Sequence, residues 1–423
     1  MPGTTTNNLG SDLDASTLPL DQLDPADPVR FEHNTMLPVF ERLRREDPIH
    51  YTENSMFGPY WSVTKWHDIM SVDTDHETFS SEPRISLIPN VSPGQQEEMQ
   101  ALQMFISMDP PKHGQQRKSV SPAVSPTNLR EMAPLIRERV GKILDSLPIG
   151  EKFDWVDKVS MELTAMTLAT LFGMDQDDRR LLTHWSDVVT AIPGPGRIVE
   201  TREEKLGIFG EFHAYFTELW NRRVNSDPTG DLVSMLAHNP ATRHMQPLEY
   251  FGNVILLTVG GNDTTRNTLT GSVLALHENP DQYSKLKADP GLLPAMVSET
   301  IRWQTPLAHM KRRATRDVEL GGKKIAKGES VVMWYVSGNR DEDVIEQPNL
   351  YNIARPNPRQ HMSFGFGIHR CVGNRLAELQ LRIAWEEIFK RFSEIVVVDE
   401  PKRVHSSFVK GYESMNVIIP ARK

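Results

Sequence analysis

The chain has 423 residues, of which 38% are hydrophobic and 24% charged, a composition typical of a globular protein with an ample core. Its 56 acidic and 47 basic residues give a net charge of -9, which argues against a nucleic-acid partner. A single cysteine excludes an internal disulfide, and no apolar run approaches the roughly 20 residues that span a bilayer. The N-terminus lacks the features of a signal peptide, so we expect a cytoplasmic protein without a membrane anchor.

The first predicted element is a flexible arm. Residues 1 to 28 are polar and rich in Asp and Pro, which favours a loosely held segment, and one domain is predicted over residues 29 to 423. Within that domain "YWSVTK" has the character of a short strand.

Helical periodicity dominates from about residue 125 onward. In "NLREMAPLIRERVGKILDSL" the apolar residues form one stripe: Leu129, Met132, Ile136, Val140 and Leu144. The segments "MELTAMTLATLFG" and "EEKLGIFGEFHAYFTELWNRRV" are predicted helices of the same kind. Later, "VELGGKKIAKGESVVMWYV" predicts strands with turns at Gly321, Gly322 and Gly328. The fold class is therefore mainly α with a small β part.

Two adjacent glycines lie inside a predicted helix over residues 248 to 278, in the sequence "GGNDTTRN". Each costs about 1 kcal/mol relative to alanine in a helix interior, so their presence indicates a specific need. Asp263 and Thr264 follow, and a carboxylate beside a hydroxyl can relay protons from water. A helix kink with a polar patch is the alternative interpretation.

The sequence "SETIRW" places Glu299 and Arg302 at positions i and i+3 of a predicted helix, where the two side chains can pair. An isolated pair of this kind is usually a solvated surface contact.

Cys371 lies in "FGFGIHRCVG", between glycines and directly before the predicted helix "NRLAELQLRIAWEEIFKRF". A lone cysteine is ordinarily a small buried apolar residue. Here the helix N-terminus and its free N–H groups are expected to stabilise a thiolate. Such a thiolate could be a nucleophile, a zinc ligand or a haem ligand. No second cysteine accompanies it, and His369 is too close in sequence to be the usual base, so haem ligation fits best.

The sequence "FGFGIHRCVG" resembles the haem-binding loop of the cytochrome P450 superfamily, the haem-thiolate monooxygenases. The resemblance implies the P450 fold, with haem b between a long distal helix and the cysteine loop, and Cys371 as the ligand of the haem iron. It also assigns haem contacts to Phe364, Gly365 and Gly373.

Other motifs follow in the family's order. By resemblance, Gly260 and Gly261 open a groove for dioxygen, and Asp263 with Thr264 are the catalytic acid and alcohol. Arg355 in "NIARPNP" joins Glu299 and Arg302 in a buried structural triad. Partners for the haem propionates are implied at four positions: His113, Arg117, Arg312 and His361.

The implied reaction inserts one atom of O2 into an unactivated C–H bond. The chain carries no dinucleotide-binding G-x-G-x-x-G after a strand, so electrons are expected from an iron–sulfur ferredoxin and its flavoprotein reductase. The enzyme itself is expected to be a monomer. Four basic residues near the cysteine and near His113 could form a docking patch for the ferredoxin: Arg370, Arg375, Lys112 and Lys118. The alternative interpretation is that they are ordinary solvated charges.

"VGGNDTTRN", "HMKRRATRDVELGG" and the cysteine loop are together similar to the bacterial subfamily that hydroxylates n-alkanes and medium-chain fatty acids at the terminal carbon. The residues implied in the substrate pocket are Ile88, Phe105, Leu256, Leu257, Leu307, Met310 and Phe408. The alternatives are a terpene or steroid substrate, a peroxygenase that uses hydrogen peroxide, and a non-catalytic haem sensor.

Overall fold

The computed structural model describes residues 15–90 and 102–423. Its helices are α1 (Pro28–Glu32), α2 (Leu37–Glu46), α3 (Trp66–Thr74), α4 (Lys112–Val120), α5 (Pro126–Asp145), α6 (Glu162–Phe172), α7 (Arg179–Thr190), α8 (Arg202–Val224), α9 (Leu232–His238), α10 (Pro247–Glu278), α11 (Pro280–Ala288), α12 (Leu293–Gln304), α13 (Tyr335–Gly338) and α14 (Asn374–Arg391). A π-helical turn over Val156–Met161 leads directly into α6. Helices thus dominate, and the mainly α prediction is confirmed.

The strands are short: β1 (Ile49–Thr52), β2 (Tyr60–Val63), β3 (Phe79–Ser80), β4 (Lys152–Asp154), β5 (Met310–Ala314), β6 (Val318–Leu320), β7 (Lys323–Ile325), β8 (Ser330–Met333), β9 (Val396–Val397), β10 (Lys402–Arg403), β11 (Tyr412–Ser414) and β12 (Asn416–Ile418). The largest sheet has the order β1-β2-β8-β5-β3, in which β2 and β8 are parallel and the other neighbours antiparallel. The predicted turn glycines Gly321, Gly322 and Gly328 all have positive φ, as tight turns require.

The apolar stripe of α5 is buried as predicted. The helix begins at Pro126, and Ser125 caps it by accepting the N–H of Asn128 at 3.3 Å. Its buried side packs against α14, so the helix that follows Cys371 is anchored along its length.

Helix α10 crosses the centre of the molecule and contacts α6, α7, α12 and α14. Its buried amides fix it to these surroundings. Asn253 accepts the N–H of Phe105 at 2.8 Å, and Asn267 accepts the N–H of Tyr412 at 3.0 Å. Because unpaired buried polar groups are costly, these hydrogen bonds set the position of the helix along its axis.

The predicted arm needs correction over the part that the structure describes. Ala15, Leu18 and Leu23 are buried against Val39 and Leu43 of α2. The apolar residues scattered through this polar segment therefore gain enough burial to hold it on the fold. Residues 1–14 of the predicted arm lie outside the described residues. Across the described chain, no helix has both the length and the apolar character that crossing a bilayer demands.

Candidate active site

A cavity of about 620 Å³ separates α10 from the loop that carries Cys371. Gly260 and Thr264 line it from the helix, and Phe364, Cys371 and Gly373 from the loop. The residues predicted for the substrate pocket all line it as well: Ile88, Phe105, Leu256, Leu257, Leu307, Met310 and Phe408. The sequence motifs therefore meet around one enclosed space.

The cysteine loop is shaped by its glycines. Gly365 and Gly367 have φ values of +65° and +61°, and a Cβ on Gly367 would lie 2.8 Å from the carbonyl oxygen of Asp73. The loop then turns back, so that the N–H of Cys371 donates to the carbonyl of Phe364 at 2.8 Å. The Cys371 side chain is thereby held against the cavity.

The exposed part of the Cys371 side chain faces the cavity, and protein surrounds the side chain elsewhere. Burial raises the pKa of the thiol, and this outweighs the N–H groups of Gly373 and Asn374 and the charges of Arg117 and Arg370. The N–H groups at the helix terminus thus favour the thiolate, as expected, but burial opposes them in the chain alone. A bound cation at the sulfur is what would favour deprotonation.

The two glycines of α10 have different surroundings. A Cβ on Gly260 would meet nothing within 4 Å, so this position opens freely onto the cavity. A Cβ on Gly261 would lie 2.6 Å from Cδ2 of Leu168, so the missing side chain there also allows close packing against α6. The groove predicted at both glycines is thus supplied mainly by Gly260.

The predicted acid and alcohol do not face the same space. Thr264 lines the cavity, and its hydroxyl donates to the carbonyl of Gly260 at 2.8 Å. Asp263 is fully buried behind the helix, where its Oδ1 lies 3.0 Å from Nη2 of Arg266, which also pairs with Asp187 at 2.6 Å. Consecutive helical residues point about 100° apart, which accounts for the separation. Burial raises the pKa of Asp263 against the lowering effect of Arg266.

The predicted triad is assembled and buried. Both oxygens of Glu299 accept from Arg302 at 2.8 Å, and Nε of Arg355 lies 3.0 Å from Oε2 of Glu299. Further donor groups of Arg302 reach the carbonyls of Asn339 and Pro348 at 2.8 and 2.9 Å. This network ties α12 to the segment that precedes the cysteine loop.

The residues predicted to meet the haem propionates are only partly brought together. Arg117 and Arg312 line the cavity, and Arg312 is paired with Asp73 at 2.7 Å. His113 is buried beside them with Nε2 unpaired, and its pKa falls to about 4 through burial and the charge of Arg117. His361 does not line the cavity. Its ring packs on Phe364 with a centroid distance of 5.3 Å.

His369 takes the position expected of His361, and sequence reasoning considered it only as a base. It lines the cavity, its ring lies 4.2 Å from that of His113, and Nε2 is 2.9 Å from the hydroxyl of Ser81. Its place two residues before Cys371 was the available signal. Asp73 was also missed, although it pairs with Arg312 and accepts the N–H of Phe366 at 2.8 Å. Nothing in the sequence of α3 distinguishes it.

The side chains at the site are of the types that bind haem b, which needs a ligand for its iron and partners for its two propionates. One thiol opens into the cavity, and two cationic arginines line it together with His369, whose ring lies 4.2 Å from that of His113. Buried nitrogens without a hydrogen-bond partner remain at His113 Nε2 and His369 Nδ1. Unpaired buried donors of this kind are expected where an anionic group belongs, and the two propionates of haem b supply it.

Comparison with known proteins agrees with this geometry. A family model described as "Cytochrome P450" matches residues 291–417. The linalool 8-monooxygenase of Pseudomonas putida is 36% identical over 390 residues, which cover 90% of this chain and 95% of the relative. The methyl-branched lipid omega-hydroxylase of Mycobacterium tuberculosis is 31% identical over 393 residues, covering 90% of each chain.

Solved structures extend the similarity to the whole fold. Cytochrome P450-153 from Novosphingobium aromaticivorans superposes with a TM-score of 0.86 at 45% identity, covering 93% of this chain and 98% of the other. CYP153D17 from Sphingomonas sp. PAMC 26605 superposes with a TM-score of 0.88 at 43% identity, covering 95% and 100%. With its fold, cysteine loop and buried triad in place, the chain belongs to the cytochrome P450 family of haem b-dependent monooxygenases.

Proposed function

We propose that this monooxygenase hydroxylates the terminal carbon of medium-chain n-alkanes or fatty acids, with electrons from a ferredoxin. The observation that carries the proposal is the cavity itself, in which the only cysteine faces walls that are mainly aliphatic and aromatic. Bound haem with a thiolate ligand supplies the activation of O2 for attack on a C–H bond.

In this proposal Cys371 holds the haem iron. Arg117, Arg312, His113 and His369 receive the propionates, with His369 in place of His361. Three of the four line the cavity, the ring of His113 lies 4.2 Å from that of His369, and each histidine has an unpaired buried nitrogen. Glu299, Arg302 and Arg355 keep the scaffold of the loop fixed and do not reach the cavity, which fits a structural role.

Thr264 and Asp263 are proposed to deliver protons to the cavity. Thr264 lines the cavity, and Asp263 lies one residue back, where burial raises the pKa of its carboxyl group and so favours holding a proton. Because Asp263 is paired with Arg266, transfer requires either water or a rotation of the carboxylate away from that arginine.

The substrate class rests on apolar lining and on relatives. Terminal attack is supported by similarity to a protein named as a lipid omega-hydroxylase and to steroid C26-monooxygenase of Mycolicibacterium smegmatis, which is 33% identical over 394 residues. A terpene substrate is the second candidate, and the similarity to linalool 8-monooxygenase favours it.

Ferredoxin is proposed to dock near the cysteine loop. Arg370, Arg375 and Lys118 are exposed there, in a chain with a net charge of -9. Lys112, the fourth residue of the predicted patch, is 2.9 Å from Glu249, so its charge is largely compensated.

The test is the position of the hydroxyl group in the product. The haem-loaded enzyme is supplied with a bacterial ferredoxin, its reductase and NADH, and is given dodecane, dodecanoic acid and linalool in separate reactions. We expect mass spectrometry to find 1-dodecanol and 12-hydroxydodecanoic acid as main products. Oxidation of linalool alone would favour the terpene candidate. Equal turnover with hydrogen peroxide and no ferredoxin would contradict the proposed electron donor.

A further inference from the structure

The walls of the cavity carry five cationic side chains, and four of them have partners of their own. Arg117 donates to the carbonyl of Arg370, Arg312 pairs with Asp73, Lys205 donates to the carbonyls of Val189 and Ala191, and Arg202 also has a partner. The fifth is Arg84. Its Nη2 is buried without a hydrogen-bond partner, and within residues 15–90 and 102–423 no carboxylate forms an ion pair with it.

Arg84 is half-buried, and a buried nitrogen of its guanidinium without a partner is costly and calls for an explanation. Arg84 is held on a rigid segment. The carbonyl of Ile85 accepts the N–H of Lys311 at 2.7 Å, and the N–H of Leu87 donates to Nε2 of His309 at 3.2 Å. His309 is itself anchored, because its Nδ1 lies 3.0 Å from the carbonyl oxygen of Ser407.

The charge next to Arg84 is positive. Burial and the charges of Arg84 and Arg313 together lower the pKa of Lys311 to about 8. Lys311 does not line the cavity itself, but it adds to the positive potential at Arg84. The charges that act on the pKa values of His113 and His369 include those of Arg117 and Arg312, whereas Arg84 acts on the pKa of Lys311.

The residues around Arg84 indicate the chemical class of ligand that it could bind. The cavity-lining residues that follow Arg84 in the chain are mainly apolar, namely Ile85, Leu87 and Ile88, with Ser86 between them. A planar guanidinium recognises a carboxylate through paired hydrogen bonds, which a hydroxyl or a methyl group cannot supply. We propose that Arg84 binds the carboxylate of a fatty acid whose chain extends along the apolar wall, so that fatty acids are bound in preference to alkanes and alcohols. This inference rests on the proposed function and specifies its substrate class.

The experiment compares a carboxylate and an alcohol of equal length. Binding of dodecanoate and dodecan-1-ol to the haem-loaded enzyme is measured by isothermal titration calorimetry for the wild type, Arg84→Gln and Arg84→Lys. Arg313→Gln is the matched control, because this exposed arginine carries a similar charge on the same strand as Lys311. Haem content is measured for every variant.

We expect Arg84→Gln to weaken dodecanoate binding at least about tenfold, equivalent to about 1.4 kcal/mol, while dodecan-1-ol affinity changes less than about twofold. Arg84→Lys should retain part of the preference and Arg313→Gln all of it. Equal losses for both probes, or no loss, would overturn the proposal. A fall in haem content with unchanged dodecanoate affinity would assign Arg84 to a propionate instead.

The two proposals fail separately. Terminal hydroxylation of dodecane by an enzyme that shows no preference for dodecanoate would leave the proposed function standing and reject the role of Arg84. Loss of affinity in Arg84→Gln with hydroxylation at an internal carbon would do the reverse.

Discussion

The two sides of the active site are held by different interactions. On the cysteine side, which comprises residues 361–373, α14 and the Glu299 triad, hydrogen bonds and ion pairs fix nearly every turn. On the substrate side, which comprises residues 83–89, 102–107 and 406–408 with the cavity face of α10, apolar side chains form most of the wall.

This difference determines which side of the active site accepts amino-acid substitutions. Hydrogen bonds and positive φ angles admit few residue types, so the cysteine side tolerates little change. Apolar walls need only volume and shape, so the substrate side can be remodelled at small cost. Substitutions should therefore cost stability on the first side and alter reaction outcome on the second.

The largest effect on stability is expected for Glu299→Gln. The change leaves the buried guanidinium of Arg302 without its carboxylate, and breaking a buried pair costs about 3–5 kcal/mol. Urea denaturation followed by circular dichroism measures it. Glu138→Gln is the control, since its pair with Lys142 is exposed and should contribute less than about 1 kcal/mol. Similar losses of unfolding free energy in Glu299→Gln and Glu138→Gln would contradict the distinction between the buried and the exposed ion pair.

Glu387→Gln on α14 should give a smaller, pH-dependent loss. Burial raises the pKa of Glu387, but hydrogen bonds from Lys390, Arg137 and Arg391 prevail and lower it to about 2. A depressed carboxyl pKa stabilises the fold above its ordinary value of 4.5, and the contribution disappears as pH falls toward 2. The difference in unfolding free energy from wild type should be at most about 3 kcal/mol at pH 7 and should shrink below pH 4.5. A pH-independent difference would contradict this assignment.

On the substrate side, Thr264→Ala should leave stability nearly unchanged and divert electrons to peroxide. The variant removes the hydroxyl that faces the cavity, and we expect the fraction of NADH electrons recovered in product to fall about tenfold, equivalent to about 1.4 kcal/mol. Product and peroxide are quantified against NADH consumed. Thr268→Ala is the control, because Thr268 also lines the cavity and its hydroxyl makes the same kind of bond to the carbonyl four residues earlier, but Thr268 is buried whereas Thr264 is partly exposed. Tight coupling in Thr264→Ala would rule out the proton-delivery role.

The smallest effect is expected from the glycine pair of α10. In Gly260→Ala the added methyl group has no neighbouring atom within 4 Å, so the substitution should stabilise the helix by up to about 1 kcal/mol. Gly261→Ala brings a methyl group against Leu168, so the same gain should be cancelled or reversed. Thermal melting of the two variants measures the difference. A larger stabilisation by Gly261→Ala would mean that Leu168 moves aside without cost.

The sequence identified the parts of the molecule in which chemistry restricts the residue type. The stripe of α5, the glycines of the cysteine loop and the Glu299 pair were all predictable, because periodicity, positive φ and charge pairing leave local patterns. The pocket residues followed from the resemblance. The separation of Asp263 from Thr264 follows from helix geometry, but the pairing of Asp263 with Arg266 was not predicted, since Arg266 is also held by Asp187 from another helix.

Two further misses have the same physical origin. Asp73 pairs with Arg312, which is distant in sequence, so no local spacing marks it. The raised pKa of Cys371 reflects burial by the whole fold, whereas sequence reasoning saw only the helix that follows.

The central claim is that Cys371 ligates haem in this cavity. It is tested most directly by the absorption spectrum of the dithionite-reduced protein under carbon monoxide, recorded for the wild type and for Cys371→Ser. We predict a strongly red-shifted Soret band for the wild type and its loss in the variant. A Soret band typical of histidine-ligated haem in the wild type, or an unchanged red-shifted band in Cys371→Ser, would contradict the account.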